Sequence, residues 1–279
     1  MWGTTRIGMR RGTGISMEMF EYEFMRTAFA AAGIVAVVSG VVGYVLVLRG
    51  QTFAGHALAH IGFTGATGAV LVGVPPLWGL VTLTVLGGVG MGAMGEGWGQ
   101  RDVAIGLVLS LALGFGLLFL HFYTGAATQA TALLFGNVLA VEPDTVWTLA
   151  GLGAVSLGVL GVVGRPLLFA SLQPELAEAR GVSVRGMGIA FLAVVALTVA
   201  ACAQIVGVLL VFTLMVGPAA SAQRVLARVG PGMALAAGLA LVEAWGGIVL
   251  AYWTDWPVSF WISALSGGVY GAAMFIRRP

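Results

Sequence analysis

Two histidines stand four residues apart, His56 and His60, in the stretch FAGHALAHIGFTGATGAVLVG, which holds no charged residue. Positions i and i+4 share one face of a helix, so both imidazoles can reach the same point in space. A titratable side chain at membrane depth is costly and usually faces a pathway, a cavity or a partner. Imidazole nitrogen suits zinc and its first-row neighbours, and the pair therefore reads as a metal-handling site. Thr52 and Thr64 continue the same series and make a polar stripe of the kind that walls a cavity. The competing reading is a pair of histidines satisfied by carbonyls or hydroxyls of neighbouring helices. Metalloprotease chemistry is excluded, because Ala57 stands where H-E-x-x-H would carry its glutamate base.

Glu243 is the one acid well inside an apolar run, ALVEAWGGIVLAY. A lone carboxylate there must be neutral, paired or near water, and it could supply an oxygen ligand, a proton-coupled gate or a structural hydrogen bond to a neighbouring helix. His121, in FLHFY, reads as an interfacial residue among aromatics. Met215 and the single cysteine, Cys202, read as packing residues, and one cysteine allows neither an internal disulfide nor a multi-cysteine metal site. No G-x-x-x-x-G-K-[ST] occurs, so this chain is not expected to hydrolyse ATP.

The elements that must hold these residues are membrane helices. Of 279 residues 59% are hydrophobic and 9% charged, against roughly 25% charged in a soluble domain. Such a chain cannot cover a water-facing surface. Its 44 glycines are interleaved with Val, Leu and Ala, which suits closely packed membrane helices rather than a linker. Runs of about 20 apolar residues can span a bilayer. They lie near 27–48, 53–74, 77–95, 103–122, 146–168, 186–202, 204–222, 232–253 and 258–276, the sixth and seventh parted only by Cys202–Gln204. The expectation is an all-α polytopic bundle of eight or nine transmembrane helices. Residues 1–24 form a polar N-terminal segment without the apolar core of a signal peptide. Met17 and Met19 are alternative starts, so this segment need not belong to the mature protein, and 25–279 is the membrane domain.

All 13 cationic residues are arginines, and beyond residue 30 they mark alternate connections: Arg49; Arg101; Arg165, Arg180 and Arg185; Arg224 and Arg228; Arg277 and Arg278. The other connections carry Glu142, Asp144 and Asp255. Positive-inside bias puts the arginine side in the cytoplasm. The arginines form no basic patch, so nucleic acid is not an expected partner. The longest polar connection on that side is SLQPELAEARGVSVRG. Pro174 suits a first helical turn and Gly181 a C-terminal cap. Glu175 early and Arg180 late agree with the helix dipole. The spacing predicts a helix of roughly two turns on the cytoplasmic face, too short to stand without a partner.

The fragments FAGHALAH, QPELAEARGV and VGVLLVFTLMVGPAASA, in this order, resemble the permease subunits of ABC-type importers for zinc, manganese and iron. The resemblance covers the chain from about Phe24 onward. It implies that the short cytoplasmic helix inserts into a groove of a separate ATPase subunit, with Pro174, Glu175, Ala177 and Gly181 matching that pattern. Gln173 replaces a common acid before the proline. The family's second-helix motif is commonly Gly-Asp-x-x-x-His, whereas here Gly55 is followed by His56, with His60 at the second position. Imidazole in place of a carboxylate shifts the expected preference from manganese towards zinc, or copper or nickel.

These features converge on the permease subunit of an ABC importer for a divalent transition metal, zinc foremost with manganese or iron as alternatives, in the bacterial plasma membrane. The metal sites are His56, His60 and Glu243. The metal is cargo, and no permanently bound cofactor is expected. Expected partners are cytoplasmic ABC ATPases, an extracytoplasmic metal-binding protein, membrane lipid and a second copy of the chain. Two other readings compete: a metal-chelate (siderophore-type) permease, and a membrane metal or haem redox protein. Histidines at i and i+4 of one helix cannot ligate one haem from opposite faces, which weighs against the latter.

Overall fold

The computed structural model describes residues 19–94, 98–122 and 133–276. Arg6, Arg10, Arg11 and Met17 of the N-terminal segment lie outside them, as do Glu96, Arg277 and Arg278.

Every long element is helical. In chain order they are α1 (Glu23–Leu48), α2 (Thr52–Leu71), α3 (Pro76–Ala93), α4 (Trp98–His121), a 3-10 turn (Val138–Ala140), α5 (Pro143–Leu172), α6 (Pro174–Ala179), α7 (Val184–Val206), α8 (Val211–Val225), α9 (Val229–Thr254) and α10 (Val258–Met274). Proline opens α3, α5 and α6 within their first two positions, where its missing N–H is not needed.

The molecule is a polytopic membrane bundle, but the expected eight or nine spans are corrected. Among the described residues six helices are long and apolar enough to cross a membrane: α1, α3, α4 from Asp102, α5, α7 and α9. Each remaining helix falls short for a physical reason. The 15 residues of α8 and 17 of α10 reach only about 22 and 26 Å at 1.5 Å per residue, against about 30 Å of hydrocarbon. The sequence of α2 is diluted by two histidines, three threonines and four glycines. It can afford that polarity because it lies inside the bundle, against α3, α4 and α7, rather than against lipid.

Burial separates an inner from an outer layer. α1 and α7 each bury 72% of their most apolar window, whereas α4 buries 11% and α5 22%. Leu107, Leu111 and Val162 stand exposed on the outer helices, as lipid-facing side chains must. Close backbone approach fixes the inner layer. A Cβ on Gly40 would lie 2.6 Å from the Ala236 carbonyl oxygen of α9, and Gly65 of α2 meets Gly79 of α3 backbone to backbone. Packing at that distance takes the place of a hydrophobic driving force between membrane helices.

A second correction concerns the break between the sixth and seventh apolar runs. Cys202–Gln204 lie inside α7, and the helix ends at Gly207, whose φ is 78°. There the amides of Val208 and Leu209 turn aside to donate to the carbonyls of Leu133 and Leu134, at 3.1 and 3.2 Å. Gly136, with φ 73°, packs on the Gly207 amide, where a Cβ would stand 2.5 Å from the nitrogen. The turn after Gly207 is thus satisfied by the carbonyls of Leu133 and Leu134 in a short helical segment, as buried irregular backbone in a membrane protein requires. Cys202 itself is buried, with its sulfur 2.7 Å from Ser39 Oγ of α1, in the packing role expected for it.

Candidate metal pathway and coupling helix

His56 and His60 are brought together on α2, their ring centroids 4.8 Å apart and nearly perpendicular. Phe212, in the first turn of α8, meets His56 edge to face at 5.7 Å. Both imidazoles are half-buried. The Nδ1 of His60 is buried and has no hydrogen-bond partner among the described residues. An orphaned polar atom costs about 1–3 kcal/mol and calls for an explanation, of which a passing ion or a water is one.

The extended polar stripe is only partly realised. Thr64 is buried and donates its hydroxyl to the Ala112 carbonyl of α4. It is therefore an interhelical tie, not part of a cavity wall. Thr52 is half-buried at the first position of α2.

Glu243 is buried on α9, 1% exposed, and neither carboxyl oxygen has a well-formed hydrogen bond. Its polar neighbour is Ser266 of α10, whose hydroxyl donates to the Thr213 carbonyl at 3.4 Å. The structure does not bring Glu243 to the histidines: α9 packs on α1, α8 and α10, and α2 is not among its principal neighbours. Among the described residues no three His, Cys, Asp or Glu side chains gather as a metal site. Met215 is buried, and the backbone at Met215 abuts Gly43 of α1, as a packing residue would. His121 ends α4 exposed beside Phe122.

The short polar helix forms where expected, as α6. Its C-terminus closes with paired bonds from the Gly181 amide to Glu178 O and from the Val182 amide to Ala177 O, both 2.9 Å. This is the Schellman arrangement, with Gly181 at φ 80° in the left-handed position that glycine fills without penalty. Ala177 faces inward, fully buried with Ala170 and Val184, so it anchors α6 to the bundle instead of meeting a partner. Glu175 and Glu178 are exposed, as are Leu172 and Leu176 at 71% and 45%. The outward face thus combines acid with bare leucine.

A residue that the arginine pattern placed in a connection turns out to be structural. Arg49 caps α1 and is 9% exposed; its Nη1 donates to Ser171 Oγ in the last turn of α5, and its guanidinium lies 5.4 Å from the Phe191 ring centroid of α7. Charge counting along the sequence could not find this contact, because Ser171 and Phe191 are remote in the chain. A cavity of about 320 Å³ opens beside it, lined among others by Gln51, Phe53, Asp102 and Ser171.

Residues 21–277 match the family described as the ABC 3 transport family. The chain belongs to that family. It is accordingly a transport component and not an enzyme. Relatives in this group include the "Manganese transport system membrane protein MntC" of Halalkalibacterium halodurans, 27% identical over 259 residues that cover 92% of this chain and 89% of the relative. The "Probable metal transport system membrane protein" of Treponema pallidum is 32% identical over 242 residues, covering 85% and 89%. Among solved structures, PsaBC from Streptococcus pneumoniae in complex with Fab superposes with a TM-score of 0.84 at 23% identity, covering 94% of this chain and 95% of that one. The bundle described above is therefore a fold shared with that solved structure.

Proposed function

We propose that this chain is the membrane permease of an ABC importer for a divalent transition-metal ion, and that His56 and His60 contact the ion in transit. The observation that carries the reading is the pair itself: two imidazoles 4.8 Å apart on an interior helix, one with an orphaned buried Nδ1, in a chain of a transport family. Two nitrogens are too few for a closed structural zinc site, which takes four ligands. An incomplete set suits cargo that must also leave. Glu243, with two orphaned carboxyl oxygens, is proposed as a separate oxygen contact on the route.

The named relatives are manganese and metal transport systems, which favours a bare ion over a chelate. Within that class the imidazole at position 56 argues for zinc, because nitrogen ligands favour zinc over manganese. Energy would come from separate cytoplasmic ATPases docked on the outward face of α6, and the ion from an extracytoplasmic binding protein. Two copies of the chain would enclose one pathway in the plasma membrane. The test is uptake by cells with and without this chain, with zinc, manganese and iron supplied together. Loss of one ion's accumulation on deletion is expected, zinc first; unchanged accumulation of all three would overturn the reading.

A further inference from the structure

We infer that Arg49 is the positioning residue that transmits movement of the cytoplasmic helix α6 to the histidine-bearing helix α2; this rests on the function proposed above. Two contacts of this one side chain carry the inference. Its Nη1 donates to Ser171 Oγ, three positions before Pro174 opens α6. The Ser171 hydroxyl spends its own proton on the Leu167 carbonyl at 2.5 Å, so its oxygen is held as an acceptor for the guanidinium. On the other side the guanidinium faces Phe191, a fully buried ring roughly two turns into α7, about 10 Å along the axis from Val184. The arginine thus reaches the α5–α6 elbow from a position inside the bundle.

The backbone that carries Arg49 leads directly to the histidines. α1 ends in a second Schellman closure, with the Gly50 amide donating to Val47 O at 3.0 Å and the Gln51 amide to Leu46 O at 3.1 Å. Gly50 holds φ 64°, and Thr52 begins α2 immediately afterwards. One turn further, Gly55 packs on Leu46, where a Cβ would lie 2.8 Å from a leucine methyl. The turn between α1 and α2 is therefore stiff, and a displacement of Arg49 shifts the start of α2 instead of being absorbed by a loop. His56 stands about 6 Å along α2 from Thr52, at 1.5 Å per residue. The cavity of about 320 Å³ next to Arg49, Phe53 and Ser171 leaves the junction room to move.

The complex of this chain with its copurifying ATPase, in proteoliposomes, tests the inference through ATP hydrolysis and uptake of radiolabelled zinc and manganese on one preparation. In Arg49→Gln the metal imported per ATP hydrolysed should fall by roughly tenfold while hydrolysis continues. Ser171→Ala, which keeps the arginine and removes its acceptor, should lower the ratio several-fold. A cysteine at Phe53 gives a second reading: its thiol reactivity should differ between nucleotide-free and ATP-trapped complexes, and that difference should vanish in Ser171→Ala although a cysteine at Glu178 still crosslinks to the ATPase. A residue that merely holds the fold would lower folded yield and both rates together and leave the ratio and the nucleotide response alone; that result, or wild-type ratios in both variants, overturns the inference. Should Arg49→Gln fail to assemble, Ser171→Ala decides. ATP-driven uptake absent from the unmodified complex would instead sink the proposed function, a failure distinguishable from this one.

Discussion

At the scale of single residues, the proposed contact with the ion rests on how little holds each histidine. His56 touches His60 and Phe212, and His60 has an orphaned Nδ1. Neither side chain is a keystone of packing, so His56→Ala and His60→Ala should each leave folded protein in the membrane within about 1 kcal/mol of wild-type stability, the range for residues off the main core. Metal uptake should fall by roughly tenfold or more in each, read as accumulation normalised to membrane-inserted protein. Uptake at wild-type level in both would remove the pair from the pathway. Selectivity gives a finer test. His56→Asp exchanges nitrogen for oxygen and should raise manganese transport relative to zinc, measured by competition between the two ions in one assay; an unmoved ratio means that position 56 does not discriminate. The pair was legible in the sequence because i,i+4 spacing on an uncharged stretch is a local property. What Thr64 and Arg49 do was not, since their partners Ala112, Ser171 and Phe191 are supplied by helices remote in the chain.

At the scale of elements, glycine positions with left-handed backbone decide where helices end. Gly181 closes α6 at φ 80° with open space around a notional Cβ, so Gly181→Val meets no clash and suffers only backbone strain, of order 1–3 kcal/mol for a β-branched residue there. That strain should unseat α6 and uncouple hydrolysis from uptake while metal binding at the histidines persists, as measured by equilibrium binding beside an ATPase assay. Charge reversal at Glu175, which is exposed on the same helix, should act in the same direction without altering the fold. Gly136 is a different case. Its φ is 73° and a Cβ would lie 2.5 Å from the Gly207 amide nitrogen, so Gly136→Ala combines strain with a backbone clash. Detergent-solubilised Gly136→Ala should unfold at lower temperature than Gly181→Val; the reverse order would show that the interlock between residues 133–137 and 207–209 contributes little. Sequence reading found α6 from Pro174 and Gly181, because caps are written in adjacent residues. It misplaced the α7 to α8 break at Cys202–Gln204, because what ends α7 is the turn at Gly207, after which the Val208 and Leu209 amides bond to the Leu133 and Leu134 carbonyls, 75 residues earlier.

At the scale of the whole molecule, apolar runs in the sequence overcounted spans because three of the helices they become are too short or too polar to cross by themselves. α2, α8 and α10 are apolar and helical, yet they are too polar or too short to qualify by themselves; α2 is sheltered by α3, α4 and α7, which is the arrangement a polar pathway needs. Orientation was read from arginines alone, and two of those markers do structural work, Arg49 at Ser171 and Phe191, and Arg224 at Tyr270 with the guanidinium 5.4 Å from the ring. The direction of transport therefore deserves a test that uses neither. Glu178 is exposed on α6, as are Glu175 and Leu176, whereas Ala177 between them is buried. With buried Cys202 replaced by alanine, a cysteine at position 178 should be the one thiol in the chain. It should react with an impermeant maleimide in inverted membrane vesicles and not in intact cells, and it should crosslink to the ATPase when the complex is assembled. Assembly should also protect it from the reagent, since Leu172 and Leu176 would bury with it. Labelling in intact cells would place α6 on the outer face, and with it the positive-inside orientation, the ATPase contact and the import direction would all fall together.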